Sequence, residues 1–163
     1  MTGQTIETKI EKLVYLYPTI QESPKIPKSE YDAIYELFNS VGKDPKEFYT
    51  PDNKGRIKIQ DNRIIYLDAG EIGLNSVPKS IGDLKNLKEL YLYNNQLNSV
   101  SESIVNLKNL KELYLGCNQI KSVPESIGNL KNLKLLYLRD NPLNEKSIEF
   151  LKELKEKGVN VIY

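Results

Sequence analysis

This sequence has no histidine and only one cysteine. The lack of histidine removes the most frequent general base of enzymes and their most frequent metal ligand. The single cysteine, Cys117, excludes an intrachain disulfide, which is typical of a protein in a reducing compartment. The sequence places no basic residue beside Cys117, so we interpret it as a small core residue rather than a nucleophile. We therefore predict a protein that is not an enzyme and that uses no cofactor and no metal.

The sequence also lacks an excess of charge and a long apolar run. Its 23 basic and 22 acidic side chains leave a net charge of +1, which gives no global field to attract nucleic acid or an anionic membrane. Charged residues interrupt the apolar positions of the N-terminal segment, unlike the centre of a secretion signal; they are Glu7, Lys9, Glu11 and Lys12. We expect one cytoplasmic domain that does not insert into a membrane.

What the sequence does contain is a block of 23 residues that occurs three times without a gap. The blocks begin at Ser76, Ser99 and Ser122 and read SVPKSIGDLKNLKELYLYNNQLN, SVSESIVNLKNLKELYLGCNQIK and SVPESIGNLKNLKLLYLRDNPLN. A fixed period of this length predicts one supersecondary unit stacked on copies of itself. In each block two leucines alternate with other residues, which predicts a short strand with one buried face. These pairs are Leu90 and Leu92, Leu113 and Leu115, and Leu136 and Leu138.

The segments LKELYLYNNQL, LKELYLGCNQI and LKLLYLRDNPL match the pattern LxxLxLxxNxL. The chain thereby resembles leucine-rich repeat proteins, in particular the short repeats of bacterial, archaeal and intracellular members, over about residues 63–163. The resemblance implies an α/β fold, a right-handed solenoid with a parallel β-sheet on its concave side. It also implies a non-enzymatic protein-binding module, used in this family as scaffold, adaptor or regulator of small GTPases or ubiquitin ligases.

The same alternation continues on both sides of the three blocks. Val159 and Val161 follow Leu136 and Leu138 by 23 residues, whereas Ile65 and Leu67 precede Leu90 and Leu92 by 25. This predicts five parallel strands. We attribute the longer first spacing to two extra residues, Gly73 and Leu74.

An asparagine recurs in the turn after each repeat strand, as Asn95, Asn118 and Asn141. An inward asparagine can donate to and accept from the backbones of its own coil and the next, where an unsatisfied buried group costs about 1–3 kcal/mol. We interpret this column as structural. In the predicted register, Gly70 takes the asparagine position of the first coil. Ser101 replaces the proline of the other blocks, which we expect to loosen that return segment.

The residues outside the repeats predict a cap at each end, because an end coil would otherwise expose its leucines and its strand edge. Residues 1–28 comprise an amphipathic helix from about Thr5 to Tyr17 and a linker with several prolines. Residues 29–62 form the N-terminal cap, and residues 63–144 form the repeats. Residues 145–163 form the C-terminal cap, a helix followed by a strand.

Within the N-terminal cap, we predict a helix that begins at Ser29, whose hydroxyl caps it. Its buried positions are predicted to be Tyr31, Ile34, Tyr35, Leu37 and Phe38. A hairpin follows, in which Ile57 and Ile59 pair with residues from Ile64 onward across a turn at Asp61 and Asn62.

Candidate binding residues are those that the repeat framework does not need. Each strand leaves three positions on the concave side. The middle position is predicted to hold Tyr66, Tyr91, Tyr114, Tyr137 and then Asn160; the flanking positions hold Ile64, Glu89, Glu112 and Leu135, and Asp68, Tyr93, Gly116 and Arg139. From these we predict a partner-binding set of Tyr66, Glu89, Tyr91, Tyr93, Glu112, Tyr114, Tyr137 and Arg139.

Tyrosine suits protein recognition because it presents a large, rigid area with a polar tip. Stacked tyrosines also stabilise neighbouring strands by ~0.5–1.5 kcal/mol per pair, which explains the column without any partner. The concave positions cover about 500 Å², less than the ~800 Å² per partner of a standard interface. The sheet therefore suits a peptide, a helix edge or a weak partner.

Two lysine columns give an alternative site for an anionic, phosphate-bearing ligand. They are Lys85, Lys108 and Lys131, and Lys88, Lys111 and Lys134. The same columns are also explained as a solvated face. We expect a protein or peptide partner of unknown identity rather than nucleic acid, and a monomer with a weak homodimer as the alternative.

Overall fold

The computed structural model describes residues 26–48 and 55–163. The helices and strands in these ranges are α1 (Lys28–Asn39), η1 (Pro45–Phe48), β1 (Ile57–Gln60), β2 (Arg63–Asp68), η2 (Lys79–Asp83), β3 (Glu89–Tyr91), η3 (Glu102–Asn106), β4 (Glu112–Tyr114), η4 (Glu125–Asn129), β5 (Leu135–Tyr137), α2 (Glu145–Glu156) and β6 (Asn160–Ile162), where η marks a 3₁₀ helix. The helix predicted from about Thr5 to Tyr17 lies outside the described residues.

A single six-stranded sheet contains these strands in the order β1 to β6. β1 pairs with β2 in antiparallel fashion, and the four following pairs are parallel. The prediction of five parallel strands is therefore confirmed. The predicted hairpin is also present, and its turn residues Asp61 and Asn62 have φ angles of 51° and 59°. Two consecutive left-handed residues are the usual way to close a two-residue hairpin, and asparagine and aspartate tolerate this conformation well.

The repeat leucines form one continuous core behind the sheet. Leu90, Leu113 and Leu136 come from neighbouring strands and are fully buried. The 3₁₀ helices on the opposite side of each coil contribute the buried residues Ile81, Ile104 and Ile127. Because each coil buries its apolar side chains against the next, a single coil could not be stable alone.

The predicted register of β2 was wrong by two residues. Leu67 pairs with Leu90, so that Tyr66 lies beside Glu89 and Asp68 beside Tyr91. The small residue Ala69 is fully buried in the place that Leu92 holds in the next coil, and the apolar pair Ile65 and Leu67 was mistaken for the framework pair. Ile65 instead lies at a β-bulge: Lys58 pairs with Tyr66 but Ile59 pairs with Ile64, which leaves Ile65 without a partner on β1. Ile64 is fully buried, whereas Ile65 is half-buried.

The first coil therefore keeps the 23-residue period, and Gly73 and Leu74 are not extra residues. Leu74 is buried in the same way as Leu97, which follows it by one period. Ile72, rather than Gly70, takes the asparagine position of this coil. Ile72 is an apolar residue at a position that is otherwise polar, and this hid the coil from the repeat pattern.

The predicted register of β6 was also wrong by two residues. Val161, rather than Val159, pairs with Leu136, and Ile162 rather than Asn160 pairs with Tyr137. The last coil is longer because α2, with 12 residues, replaces the five-residue 3₁₀ helix of the other coils.

The asparagine column is structural, as predicted, but its side chains bond to the preceding coil rather than to the next one. The Asn118 side-chain nitrogen donates to the carbonyl of Leu115 in its own coil and to that of Leu92 in the preceding coil, both at 2.9 Å. Its oxygen accepts from the amide of Leu97, also in the preceding coil, at 3.0 Å. Asn95 and Asn141 repeat this arrangement. The prediction that the asparagines bond to the next coil was wrong in direction.

Helix α1 lies against the first coil, but its predicted start and face need correction. It begins at Lys28 after Pro27, and no side chain caps it, so Ser29 is not the cap. Its buried positions are Glu30, Ala33, Ile34, Leu37 and Phe38, whereas Tyr31 and Tyr35 are half-buried. The helix is thus rotated by about one position from the predicted face, which brings the acidic Glu30 into the core.

The return segment at Ser101 keeps the conformation of its proline-containing neighbours. Pro78, Ser101 and Pro124 each precede a 3₁₀ helix, with φ angles of −65°, −62° and −69°. Ser101 therefore adopts a proline-like backbone, and the expected loosening of this segment stays a prediction.

Candidate functional site

The candidate site is the face of the sheet opposite the leucine core, which we call the tyrosine face. Its side chains alternate along each strand with the buried ones. They are Lys58, Tyr66, Asp68, Glu89, Tyr91, Glu112, Tyr114, Leu135, Tyr137, Asn160 and Ile162. Gly70, Tyr93, Gly116 and Arg139 follow directly after the strands.

Four tyrosines form a continuous aromatic stripe across this face. The ring centroids of Tyr91 and Tyr114 are 4.3 Å apart, and the rings are stacked with an angle of 8° between their planes. Tyr114 and Tyr137 are 6.0 Å apart. Tyr66 lies beside Glu89 rather than in the predicted middle column, yet its ring is still 5.2 Å from that of Tyr91. The structure thus brings together all four tyrosines despite the error in register.

Two glycines leave space for further rings. A Cβ atom added at Gly70 would lie 2.5 Å from the ring of Tyr93, and one added at Gly116 would lie 2.6 Å from the ring of Tyr137. Contacts this short are not tolerated, so each ring needs a glycine beneath it. The sequence pattern does not indicate this role, because it places Gly70 at the asparagine position of the first coil and Gly116 at a variable concave position.

Each of the two central tyrosines forms a hydrogen bond to a glutamate of its own strand. The Tyr114 hydroxyl donates to Glu112 Oε2 at 3.0 Å, and the Tyr91 hydroxyl donates to Glu89 Oε2 at 3.3 Å. The two residues of each pair are separated by one position, so both side chains point to the same face. The predicted residues Glu89 and Glu112 are therefore hydrogen-bonded to the aromatic stripe.

The environment raises the pKa of three tyrosines of the stripe and of the adjacent Tyr93. Burial is the largest cause that raises the pKa of Tyr66, Tyr91, Tyr93 and Tyr114. The charge of Asp68 further raises the pKa of Tyr66 and that of Tyr93. The neighbouring Tyr114 further raises the pKa of Tyr91, and the hydrogen bond to Glu112 further raises the pKa of Tyr114. These four hydroxyls stay protonated, and able to donate hydrogen bonds, at neutral and moderately alkaline pH.

Basic groups lie at the two ends of the tyrosine face. At the β1 end, the Lys58 ammonium group is 4.1 Å from the ring centroid of Tyr66, and Arg56 Nη1 donates to the carbonyl of Gly70 at 2.5 Å. At the other end, the predicted residue Arg139 is exposed. The centre holds Asp68, Glu89 and Glu112, so the face is acidic in the middle and basic at its ends. Lys58 was not predicted, although its alternation with Ile57 and Ile59 could have placed it on this face.

The prediction that Cys117 is a core residue was wrong, because Cys117 is exposed in the turn after β4. Its φ angle is 53°, and the equivalent residues Asn94 and Asp140 also have left-handed backbones. This geometry holds Cys117 outside the leucine core.

The described residues do not include a group of three or more potential metal ligands.

The two lysine columns lie on the segment that leads into each strand. Lys85 Nζ donates to the carbonyl of Gly82, and Lys88 Nζ donates to Gln60 Oε1 at 3.4 Å. The other four lysines are exposed. The backbones of Lys88, Lys111 and Lys134 take part in the hydrogen bonds between coils. The repeat therefore fixes the backbone positions of these three lysines, independently of any ligand of their side chains.

The fold and the repeat geometry agree with comparisons to known proteins. Residues 62–157 match the model of a leucine-rich repeat region. A solved leucine-rich repeat protein from Leptospira interrogans is 38% identical over 60% of this chain, with a TM-score of 0.54. The leucine-rich repeat ectodomain of the receptor kinase SOBIR1 from Arabidopsis thaliana is 26% identical over 74% of this chain and 71% of its own, with a TM-score of 0.60.

An internalin from Listeria monocytogenes is 28% identical over 60% of this chain, with a TM-score of 0.51. The chain spans only 24% of the Leptospira protein and 27% of the internalin. No curated protein matches the sequence. Because the matched repeat region covers more than half of the chain, this protein belongs to the leucine-rich repeat family.

Proposed function

We propose that this protein is a non-enzymatic interaction module that binds a protein or a peptide on its tyrosine face. Its leucine-rich repeat fold suggests protein–protein interaction, and members of this family are typically binding modules without enzymatic activity. The observation that carries the proposal is the aromatic stripe. Tyr66, Tyr91, Tyr114 and Tyr137 are in ring contact and each remains partly exposed, which is the combination that favours protein contacts.

The partner-binding set is proposed on the same grounds. Tyr66, Glu89, Tyr91, Glu112, Tyr114 and Tyr137 form the stripe and its hydrogen-bonded glutamates, while Tyr93 and Arg139 flank it. A cytoplasmic location, a monomeric state, a right-handed solenoid and the role of residues 29–62 and 145–163 as caps are likewise proposals. Among the described helices, none has both the length and the apolar character needed to cross a membrane.

The proposal is tested by capturing partners from a lysate of cells that naturally contain the protein. The test variant carries Tyr91→Ala with Tyr114→Ala. The matched control carries Tyr31→Ala with Tyr35→Ala, which removes another pair of contacting tyrosine rings, 5.8 Å apart on α1. We expect the test variant to lose the captured protein and the control to retain it, with circular dichroism spectra unchanged in both.

A third variant distinguishes the lysine columns from the tyrosine face. Lys108→Ala with Lys131→Ala removes two exposed charges without touching the sheet. If a phosphate-bearing ligand bound there, capture would depend on this pair and would weaken steeply with salt. Capture that survives the loss of Tyr91 and Tyr114 would contradict the proposed function.

A further inference from the structure

Two acidic side chains, Glu89 and Glu112, lie side by side at the centre of the tyrosine face. Glu89 and Glu112 are direct neighbours on the parallel strands β3 and β4, so their Cα atoms lie roughly 4.8 Å apart. Like charges directly opposite each other destabilise strand pairing. In the part of the chain that the structure describes, neither carboxylate forms an ion pair with lysine or arginine. The sheet therefore keeps an electrostatic cost at the middle of the candidate site.

The two carboxylates are also held in a defined orientation. Tyr91 and Tyr114 each donate to the Oε2 atom of the glutamate on their own strand. Because the two rings are stacked, the hydroxyls and the carboxylates they hold form two adjacent, parallel pairs. Within residues 26–48 and 55–163, no donor reaches the Oε1 atom of either glutamate, so this atom can accept a hydrogen bond from a bound partner.

The same face already binds one cation. The Lys58 ammonium group lies over the ring of Tyr66, an arrangement stabilised by the attraction of a cation to the aromatic ring. Of the lysines and arginines in the described ranges, none lies over the rings of Tyr91, Tyr114 or Tyr137. A basic group thus packs on Tyr66, the first ring of the aromatic stripe. Glu89 and Glu112 lie beside Tyr91 and Tyr114, and no described lysine or arginine packs on these two rings.

We propose that the tyrosine face binds an extended peptide segment through an arginine side chain. Its guanidinium group donates to Glu89 and Glu112 together, while its alkyl chain packs along Tyr91 and Tyr114. Arginine fits better than lysine because its planar fork of donors can bond to two acceptors at once. Charge complementarity selects this occupant, since an acidic or phosphorylated segment would be repelled by the pair of glutamates. This inference rests on the proposed function, because it specifies the chemistry of the partner at the same face.

The test selects peptides from a randomised library displayed on phage, with the full chain as bait. Wild type is compared with Glu89→Gln/Glu112→Gln and with Tyr91→Ala/Tyr114→Ala. The matched control is Glu102→Gln/Glu125→Gln, which changes the net charge equally at exposed positions on η3 and η4. We expect peptides selected by wild type to be enriched in arginine. They should bind Glu89→Gln/Glu112→Gln at least about tenfold more weakly and the control equally well.

The outcomes separate this inference from the proposed function. If selected peptides require Tyr91 and Tyr114 but show no excess of arginine, or bind the Glu89→Gln/Glu112→Gln variant as well as wild type, the inference is wrong and the proposed function stands. If the selected peptides bind the tyrosine variant as well as wild type, both are wrong. If wild type selects no peptides, the inference is wrong, and capture from the lysate decides the proposed function.

A stability measurement provides an independent check. Because glutamine keeps an acceptor for each tyrosine hydroxyl and removes the repulsion, Glu89→Gln/Glu112→Gln should unfold at a urea concentration no lower than that of wild type. A clear loss of stability would show that the glutamates serve the fold, and it would overturn the inference.

Discussion

The carboxylate of Glu30, on the first turn of α1, accepts a hydrogen bond from the backbone amide of Ile64 at 2.8 Å. Glu30 is completely buried, and its other oxygen accepts from Arg63 Nη1 at 3.0 Å. Ile64 begins the leucine-core face of β2, next to the bulge that disturbs the pairing of β1 and β2. One acidic side chain thus joins the N-terminal helix to the first repeat strand at a point where the sheet is irregular.

We predict that Glu30→Leu lowers the free energy of unfolding by about 1–3 kcal/mol, because the buried amide of Ile64 would lose its acceptor. Glu30→Gln should cost less, since its carbonyl oxygen can still accept from Ile64. Urea denaturation measures both. Glu36→Gln, at an exposed position of the same helix, should stay within about 0.5 kcal/mol of wild type. Equal effects of Glu30→Leu and Glu36→Gln would contradict a structural role for the Glu30–Ile64 bond.

Asn118→Leu should lower the free energy of unfolding by about 1–3 kcal/mol, because the amide of Leu97 and the carbonyls of Leu92 and Leu115 would be left unsatisfied. Asn141 makes equivalent bonds but is only half-buried, so water can replace part of what is lost. Asn141→Leu should therefore be milder. Melting curves that rank the two substitutions in the opposite order would be inconsistent with this account.

Alkaline pH should destabilise the protein through its tyrosine stripe. The pKa of Tyr91 and that of Tyr114 are raised in the folded protein, chiefly by burial at both sites. The unfolded chain loses these protons as the pH passes about 10, whereas the folded chain retains them. The folded state then binds more protons, so the free energy of unfolding does not change below about pH 10 on account of these groups and falls above it.

Urea denaturation between about pH 9 and pH 11 measures this loss. Because lysines titrate in the same range, the control is Tyr91→Phe with Tyr114→Phe, which keeps both rings but has no hydroxyl to ionise. Its stability should depend less steeply on pH than that of wild type. Identical slopes in the two proteins would refute the prediction, as would a phenolate absorbance titration in which all 11 tyrosines ionise together.

The sequence predicted the three similar repeats well because their periodicity and their burial have the same cause. Leu90, Leu113 and Leu136 recur at a fixed spacing since each fills the same place in a stacked coil. At the ends, that cause no longer acts alone. The bulge at Ile65 displaces the alternation of β2, and α2 adds two residues before β6. At β6, the strict 23-residue period misplaced Asn160, whereas at β2 a spacing of 25 in place of that period misplaced Tyr66 and Gly70.

Three other features depend on more than the spacing of the repeats. Glu30 resembles a solvent-exposed helix residue until β2 supplies the amide of Ile64 as its donor. Cys117 is small and apolar, yet the left-handed turn directs it outward. The place of Lys58 over Tyr66 follows from antiparallel pairing between β1 and β2. The 23-residue period indicates none of these three features.

The backward reach of the asparagines gives the array a polarity. Asn118 completes the turn of the coil that contains Leu97, and Asn141 completes the turn of the coil that contains Ile120. Each turn is thus finished only when the following coil has docked. Consider a duplicate of residues 99–121 inserted after Lys121. Asn141 would complete the turn of the duplicate, and the duplicate's copy of Asn118 would complete the turn of the coil before it. The solenoid can therefore be lengthened internally by whole coils.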